Sequence, residues 1–436
     1  MTQPTLFNPF PGPPPIEAKG RDAIHAVAFR AAVEGADAYH GVRSALRRDG
    51  AIVRLGNRFV TLTKYREIAF VSLGHAAVSA AYGAHDALGQ AITQGFVAGP
   101  NPVPPEIPFR ATRVLPGRPG QAGTADVLSD VLELAQGLGE KDLLVLLVTP
   151  GAAVPLAAPP PGLDAASWNR WLGSLSDAGA TAREVGEVVR GLGTGGVGGG
   201  VARAGGRADV VTLVVERGDG GVLVGGGPAS AVLPAERVAA RAVLQRLGLF
   251  AGLPLAARDS LAPDGTLPSG MSPSVHRPVA VAGPSDALRS AGDAISGRGY
   301  TSRLAAMTIP GKPAAAAATF LDRVDEVVAR GLGDGNANTK GIVVFAPATF
   351  EVPEGGDERR EFPAFVQAAA ARIRRRGMSV GAYQTSALGE PPGAAGVVVD
   401  AALPGTPVVP RPVPMRSGIT DVGCLLVAFA PRETGG

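Results

Sequence analysis

The chain has 436 residues and a formal net charge of +3, and 45% of its residues are hydrophobic while only 5% are aromatic. This length is too great for one compact core and predicts two domains of ordinary size. The basic residues are spread along the chain, which argues against a nucleic-acid-binding protein. The single cysteine, Cys424, excludes an internal disulfide and a multi-cysteine metal site, and it favours a reducing compartment.

Neither a secretory signal nor a membrane span is indicated by the sequence. The proline-rich tail, residues 1–20, has no cationic start followed by an apolar stretch. The longest apolar run, residues 143–148, has the length of a strand and is soon followed by Pro150. We therefore expect a cytoplasmic protein that binds neither membranes nor nucleic acid.

Helical and strand-like patterns alternate through the first half of the chain. Apolar spacing predicts one long first helix over residues 21–48. Strands are predicted at 51–53, 59–62, 68–73, 143–148 and 210–215, and further helices from 76 and at 125–138, 166–175 and 235–247. Unbroken apolar strands in such an alternation predict an α/β domain, a parallel sheet with helices on both faces, over residues 21–255.

The second half predicts a linker and then a smaller α/β domain. Composition shifts to Pro, Ser, Gly and Asp after Ala256, so we place the linker at 256–298 and the C-terminal domain at 299–436. Its predicted helices are 314–330 and 361–376, and its predicted strands are 342–345, 379–382, 397–399 and 425–429. In the first domain, the glycine-rich segment 186–206 is predicted to be a mobile loop.

Several short strings along the chain occur in a recognisable order. They are residues 31–34 (AAVE), 46–50 (LRRDG), 131–135 (VLELA), 159–163 (PPPGL), 178–181 (AGAT), 227–228 (GP), 394–396 (AAG) and 420–422 (TDV). In this order they resemble the glycerate 2-kinase family, whose C-terminal part is the MOFRL domain and whose members are often called hydroxypyruvate reductases. The resemblance covers residues 20–430 and implies a Rossmann-like N-terminal sheet, a MOFRL-like domain and an interdomain cleft.

The resemblance places two candidate loops at the ends of predicted strands. In the family the first turn carries a catalytic lysine after glycines, and here Gly74 is followed by His75. The second loop is a glycine-rich phosphate cradle in the family, and here it contains Thr149, Pro150 and Gly151. Proline removes an N–H donor, so this loop fits a phosphate poorly. His75 is either a catalytic cation or a tolerated residue at a helix start.

The remaining family motifs are matched only in part. Arg190 stands in the basic motif and Asp219 near the acidic turn, whereas the C-terminal arginine of the family is matched by Arg359 after a shift of one residue. Thr385 and Glu390 remain of a turn that carries two aspartates in the family. Both aspartates are absent, so no metal site is expected there. For Arg190 and Arg359, surface roles remain the alternatives to ligand contact.

The losses at these motifs point away from the family's phosphoryl transfer. We expect a divergent member, a pseudoenzyme that binds a small anionic ligand or a protein partner, with the kinase activity lost or changed. The alternatives are an active ATP-dependent D-glycerate 2-kinase, a transferase of carbohydrate metabolism, and a different enzyme in the same cleft. The cofactor is unknown, with ATP and Mg²⁺ expected only for a retained kinase. A small hydroxy acid is a candidate ligand, and a homo- or hetero-oligomer is expected.

Overall fold

The computed structural model describes most of the chain. The described residues are 21–56, 58–99, 111–114, 124–217, 226–262, 278–305, 308–333, 339–350, 361–375, 377–385, 394–400, 411–414 and 424–432. Two compact units are formed. The first consists mainly of Ala38–Ala282, and the second of Gly283–Glu351, Asp357–Gly436 and the described end of Pro9–Asp37.

Thirteen α-helices and sixteen strands lie within the described residues. The helices are α1 (Arg21–Gly35), α2 (Ala38–Ala45), α3 (Ala77–Leu88), α4 (Thr124–Gln136), α5 (Ala153–Leu156), α6 (Ala165–Asp177), α7 (Ala182–Leu192), α8 (Gly200–Ala204), α9 (Pro234–Arg246), α10 (Leu255–Ser260), α11 (Pro284–Ser296), α12 (Pro313–Gly333) and α13 (Phe362–Arg372). The strands are β1 (Arg48–Asp49), β2 (Ile52–Leu55), β3 (Arg58–Thr61), β4 (Glu67–Leu73), β5 (Gln94–Gly99), β6 (Ala111–Val114), β7 (Asp142–Val148), β8 (Asp209–Val215), β9 (Val279–Ala282), β10 (Thr301–Leu304), β11 (Ile309–Gly311), β12 (Gly341–Phe350), β13 (Ser379–Gln384), β14 (Ala394–Asp400), β15 (Arg411–Pro414) and β16 (Cys424–Pro431).

The first unit is built on a parallel sheet of six strands in the order β6-β5-β4-β7-β8-β9. All seven residues of β7 are buried. Because side chains alternate between the two faces of a strand, this burial means that both faces of the sheet are covered. The predicted parallel sheet flanked by helices is thus confirmed. A separate antiparallel sheet, β1-β2-β3, belongs to the same unit.

The second unit contains a mixed sheet of seven strands. Its order is β10-β12-β16-β13-β14-β15, with β11 also paired to β12. Strands β10 and β11 run parallel to β12, while the other pairs are antiparallel. The α/β class predicted for this region is correct. However, the sheet does not repeat the parallel theme of the first unit, because strand direction follows from connections that apolar patterns do not reveal.

Three predicted segments differ in the structure. The predicted first helix is two helices in the structure, because the chain turns between Gly35 and Ala38. The predicted linker 256–298 contains regular structure. Strand β9 and helix α11 lie within it, and helix α10 begins one residue before it. The predicted mobile loop 186–206 includes the end of α7 and all of α8.

The glycines between α7 and α8 are tied to their surroundings. The amides of Gly198 and Gly199 donate to the carbonyls of Gly226 and Gly227, each at 2.9 Å. Gly200 approaches Gly195 so closely that a Cβ would lie 1.8 Å from its carbonyl oxygen. Glycine is required there by close packing of backbone against backbone, and the loop is a fixed part of the unit.

Candidate functional site

Two of the candidate loops meet where the order of the parallel sheet reverses. From β4 the chain proceeds through β5 to β6 on one side, and from β7 it proceeds through β8 to β9 on the other. The turn after β4 carries Gly74 and His75, and the turn after β7 carries Thr149 and Gly151. In open α/β sheets, ligands bind beyond the carboxyl ends of the strands at this kind of reversal. The sequence therefore placed four candidates at the position that the fold favours for a ligand.

The two loops are joined directly by hydrogen bonds. The N–H of His75 donates to the carbonyl of Pro150 at 2.8 Å, and the N–H of Ala76 donates to Oγ1 of Thr149 at 3.1 Å. The hydroxyl of Thr149 in turn donates to the carbonyl of Leu73 at 3.1 Å. Amides at a helix start are the groups that bind phosphate in many proteins. Here the amide of Ala76, the residue that caps α3, and the amide of His75 just before it are bonded to the neighbouring loop.

Both glycines are required by this close approach. Gly74 has φ +104°, and an added Cβ would lie 2.4 Å from the carbonyl oxygen of Thr149. Gly151 has φ +90°, and its Cβ would lie 2.5 Å from Nε2 of His75. The imidazole therefore lies against the Cα of Gly151. The two glycines let the loops pack on each other, and the half-buried His75 ring covers the second loop.

Arg190 lies inside the first unit with its side chain 1% exposed. Its guanidinium donates through Nε to Oε1 of Glu236 at 3.0 Å, and Nη2 lies 2.9 Å from Oε2 of the same carboxylate. The other donors reach the carbonyls of Gly226, Ser230 and Ala231. A guanidinium has five N–H donors, and five acceptors surround this one. This geometry favours a structural role for Arg190 over the ligand contact predicted from the sequence.

Of the remaining candidates, only Thr385 lies within the described residues. Thr385 is 1% exposed and follows β13 in the second unit. Asp219, Arg359 and Glu390 lie outside the described residues. Within the part of the chain that the structure describes, no group of three His, Cys, Asp or Glu side chains is placed to hold a metal ion.

Sequence reasoning missed Ser72, which bonds to the start of α3, and Glu236, which pairs with Arg190. Ser72 is buried in β4, and its hydroxyl donates to the carbonyl of Ala77 at 2.7 Å, so it helps fix the start of α3. Glu236 holds Arg190 and also accepts from the N–H of Leu233 at 2.7 Å. A glutamate at the third helical position is a recognisable capping signal. Its pairing with an arginine 46 residues away has no local signature.

No helix among the described residues is long and apolar enough to cross a bilayer. The sole cysteine, Cys424, is buried in β16 and is not part of a disulfide.

Comparison with known proteins gives matches to sequence and to fold. A family model described as a domain of unknown function (DUF4147) matches residues 25–262. A glycerate kinase from Danio rerio is 29% identical over 216 residues, a match spanning 46% of this chain and 42% of that protein. The chain thus covers about two fifths of the length of this curated relative.

Two solved structures share the architecture over nearly the whole chain. A protein from Pyrococcus horikoshii OT3 has a TM-score of 0.67 at 16% identity, covering 95% of this chain and 100% of its own. A glycerate kinase from Thermotoga maritima has a TM-score of 0.67 at 18% identity, covering 94% and 98%. At these identities the likeness shows the fold alone.

Proposed function

The chain belongs to the family described as a domain of unknown function (DUF4147), and we propose that it is a glycerate kinase-like protein in which phosphoryl transfer is lost or changed. The observation that carries the proposal is the hydrogen bonding between the turns after β4 and β7. The amides of His75 and Ala76 are bonded to Pro150 and Thr149. A phosphate bound at these two amides would have to displace both bonds.

The residue types at the same place support the proposal. Phosphoryl transfer depends on fixed cations and amides aimed at the transferring group. The position where the family resemblance implies a lysine holds His75, and Pro150 offers no N–H to a second loop. Each lost contact to a transition state typically costs about 2.7–4 kcal/mol. The described residues therefore fit ATP and Mg²⁺ poorly, and a role in binding a small anion or a protein partner is the better reading.

An ADP-release assay with Mg²⁺, ATP and D-glycerate tests the proposal, with an active glycerate kinase as the positive control. We expect no turnover above the enzyme-free rate. Calorimetry on the same protein tests whether a ligand site is retained. A protein that binds D-glycerate or ATP without turnover gives a heat of binding but forms no ADP. Clear turnover by the wild-type protein would overturn the proposal.

A variant of His75 tests whether the bonded amides contribute to the loss of phosphoryl transfer. His75→Lys restores the cation but leaves Pro150 and Thr149 in place, so we expect the ADP-release rate to stay at background. Substantial turnover by His75→Lys would mean that the missing cation alone explains the loss. That result would contradict the argument from the bonded amides.

A further inference from the structure

In the antiparallel sheet β1-β2-β3, the central strand β2 buries one face and exposes the other. In β2, Val53 and Leu55 are buried while Ile52 and Arg54 are exposed. Because side chains alternate along a strand, this pattern divides the sheet into a face that packs on the unit and a face in contact with solvent. The solvent face carries large apolar groups, since Ile52 is 51% exposed and Phe59 is 74% exposed.

The strand register brings these side chains together. Phe59 lies opposite Arg54, and Ile52 lies between Asp49 and Thr61 on the neighbouring strands. Ile52 and Phe59 are therefore diagonal neighbours, about 7–8 Å apart between Cα atoms, which is within reach of an aromatic side chain. We define the hairpin face as residues Arg47, Asp49, Ile52, Arg54, Phe59 and Thr61. Single exposed apolar residues are ordinary, whereas these two adjoin and form one apolar surface.

The charge of the hairpin face comes from two arginines and one aspartate. Arg47 is opposite Arg54, because the N–H of Arg54 donates to the carbonyl of Arg47 at 2.9 Å. The guanidinium of Arg54 has a hydrogen bond to the carbonyl of Gly56 at 2.6 Å, which leaves its charge without a carboxylate among the described contacts. By contrast, Arg58 points away from this face and pairs with Asp209 at 2.8 Å. The hairpin face therefore combines an apolar centre with excess positive charge.

We propose that the hairpin face is a docking site for an acidic segment of a partner protein. The segment places aliphatic or aromatic side chains against Ile52 and Phe59, and carboxylates beside Arg47 and Arg54. Aromatic residues and arginine are the types enriched where protein interfaces concentrate their binding energy. The inference goes beyond the proposed function and does not depend on the fate of phosphoryl transfer.

A second copy of the chain is a poorer occupant than an acidic segment. In a two-fold dimer the same patch meets itself, so the two arginines of each copy would face a surface that also carries two arginines and only one aspartate. Like charges across an interface disfavour the complex, whereas complementary charges fix its register. The excess of arginine thus selects a partner that brings carboxylates.

Selection of random peptides displayed on phage, with the whole protein as bait, tests the proposal. We expect the enriched peptides to contain Asp or Glu beside Leu, Ile, Phe or Tyr, and we expect their affinity, measured by fluorescence anisotropy, to weaken as salt is raised. The double variant Arg54→Gln, Phe59→Thr is expected to weaken binding at least about tenfold. Threonine retains strand propensity and Phe59 is 74% exposed, so we expect the fold to be kept.

The matched control is Arg303→Gln, Leu304→Thr, because these neighbours are also exposed on a strand, β10, of the second unit. Binding by this control is expected to stay within about twofold of wild type. The proposal is overturned if no peptide is enriched, if enriched peptides lack acidic residues, or if they bind both double variants equally. Sedimentation of the protein alone provides another test, since a dimer abolished by Phe59→Thr would make a second copy the occupant.

Discussion

The guanidinium of Arg190 is held by one carboxylate and three carbonyls, all from residues 226–236. The carboxylate of Glu236 also accepts from the N–H of Leu233, so a single acidic side chain fixes a helix start and a buried cation. A charge buried in this way is stable only while its partners remain. Such an arginine has no donor to spare for a ligand, which explains why a residue of the right type need not be a binding residue.

Replacing this arginine tests the structural role. Arg190→Met keeps the length and apolar stem but leaves Glu236 and the three carbonyls without their donor. We expect the free energy of unfolding to fall by about 3 kcal/mol, as for other broken buried ion pairs. Urea denaturation measures the change. Arg183→Met, at an exposed i,i+4 pair with Glu187 in the same helix, is the control and is expected to change stability by less than about 1 kcal/mol. Equal effects of the two substitutions would contradict the structural role.

A second polar cluster surrounds Asp142, the first residue of β7. It lies at the amino-terminal edge of the parallel sheet, opposite the edge that carries the turns after β4 and β7. Burial by itself would raise the pKa of Asp142, but donation from the N–H of Gly139, the guanidinium of Arg66 and the N–H of Glu67 outweighs it. The pKa of Asp142 is therefore lowered on folding. Because the pKa of Asp142 is lower in the folded state, its ionised carboxylate stabilises the fold at pH values above about 3.9, the pKa of an unfolded aspartate. This stabilisation is lost as the pH falls through the pKa of the folded state.

The Asp142→Asn variant makes this dependence measurable. At pH 7 we expect the variant to be less stable than wild type, because the amide carries no charge to pair with Arg66. The difference in the free energy of unfolding should narrow as pH falls below about 4. Urea midpoints at a series of pH values test this, with the exposed Asp325→Asn of α12 as control. A difference that stays constant across the series would rule out the assigned pKa shift.

At the scale of elements, α7 and α9 pack closely at a glycine. An added Cβ on Gly191 would lie 2.4 Å from Cβ of Ala240, whereas a Cβ on Gly186 would meet no described residue within 4 Å beyond its own helix backbone. Both glycines belong to α7, which begins with a capping box formed by Thr181 and Glu184. One helix therefore contains a glycine required by packing and another that is not.

Alanine substitutions at these two positions are expected to act in opposite directions. Gly186→Ala should raise the free energy of unfolding by about 0.5–1 kcal/mol, since alanine favours the helix and meets nothing. Gly191→Ala should lower it by about 1–3 kcal/mol, because the two helices must separate to admit the methyl group. Thermal and urea unfolding of both variants measure this. If both substitutions stabilise the protein, the close approach of α7 and α9 is wrong.

Strand β7 and helix α7 show what the sequence could and could not predict. Strand β7 is predictable because a strand buried on both faces has an almost unbroken apolar sequence. The glycines at the end of α7 predict a mobile loop, because composition alone does not reveal the packing that holds these residues. Gly74, His75, Thr149 and Gly151 were placed together through family resemblance. That the amides of His75 and Ala76 are already bonded depends on contacts between residues about 75 positions apart, and no local pattern encodes these contacts.

At the scale of the whole molecule, the order of the chain does not follow the two units. Helix α1 precedes the first unit in sequence but belongs to the second, where it packs against α11 and the strands β13 and β16. Phe29 of α1 is fully buried, and its ring stacks on Tyr383 with centroids 4.9 Å apart. Nε2 of His25 lies 2.9 Å from Oγ of Ser379, also within this unit. The second unit is therefore completed by a segment that the sequence predicted as part of the first.

This assignment predicts which sheet is weakened by a change in the first helix. Phe29→Ala removes a buried aromatic ring, a change that typically costs about 3–5 kcal/mol. We expect faster amide hydrogen exchange in β12, β13 and β16 of the second unit, with β4, β7 and β8 of the first unit still protected, because each unit has its own core. Leu172→Ala in α6, 1% exposed in the core of the first unit, should give the reverse pattern. Equal acceleration in both sheets for either variant would mean that the units open together, and protection of β13 in Phe29→Ala would contradict the placement of α1.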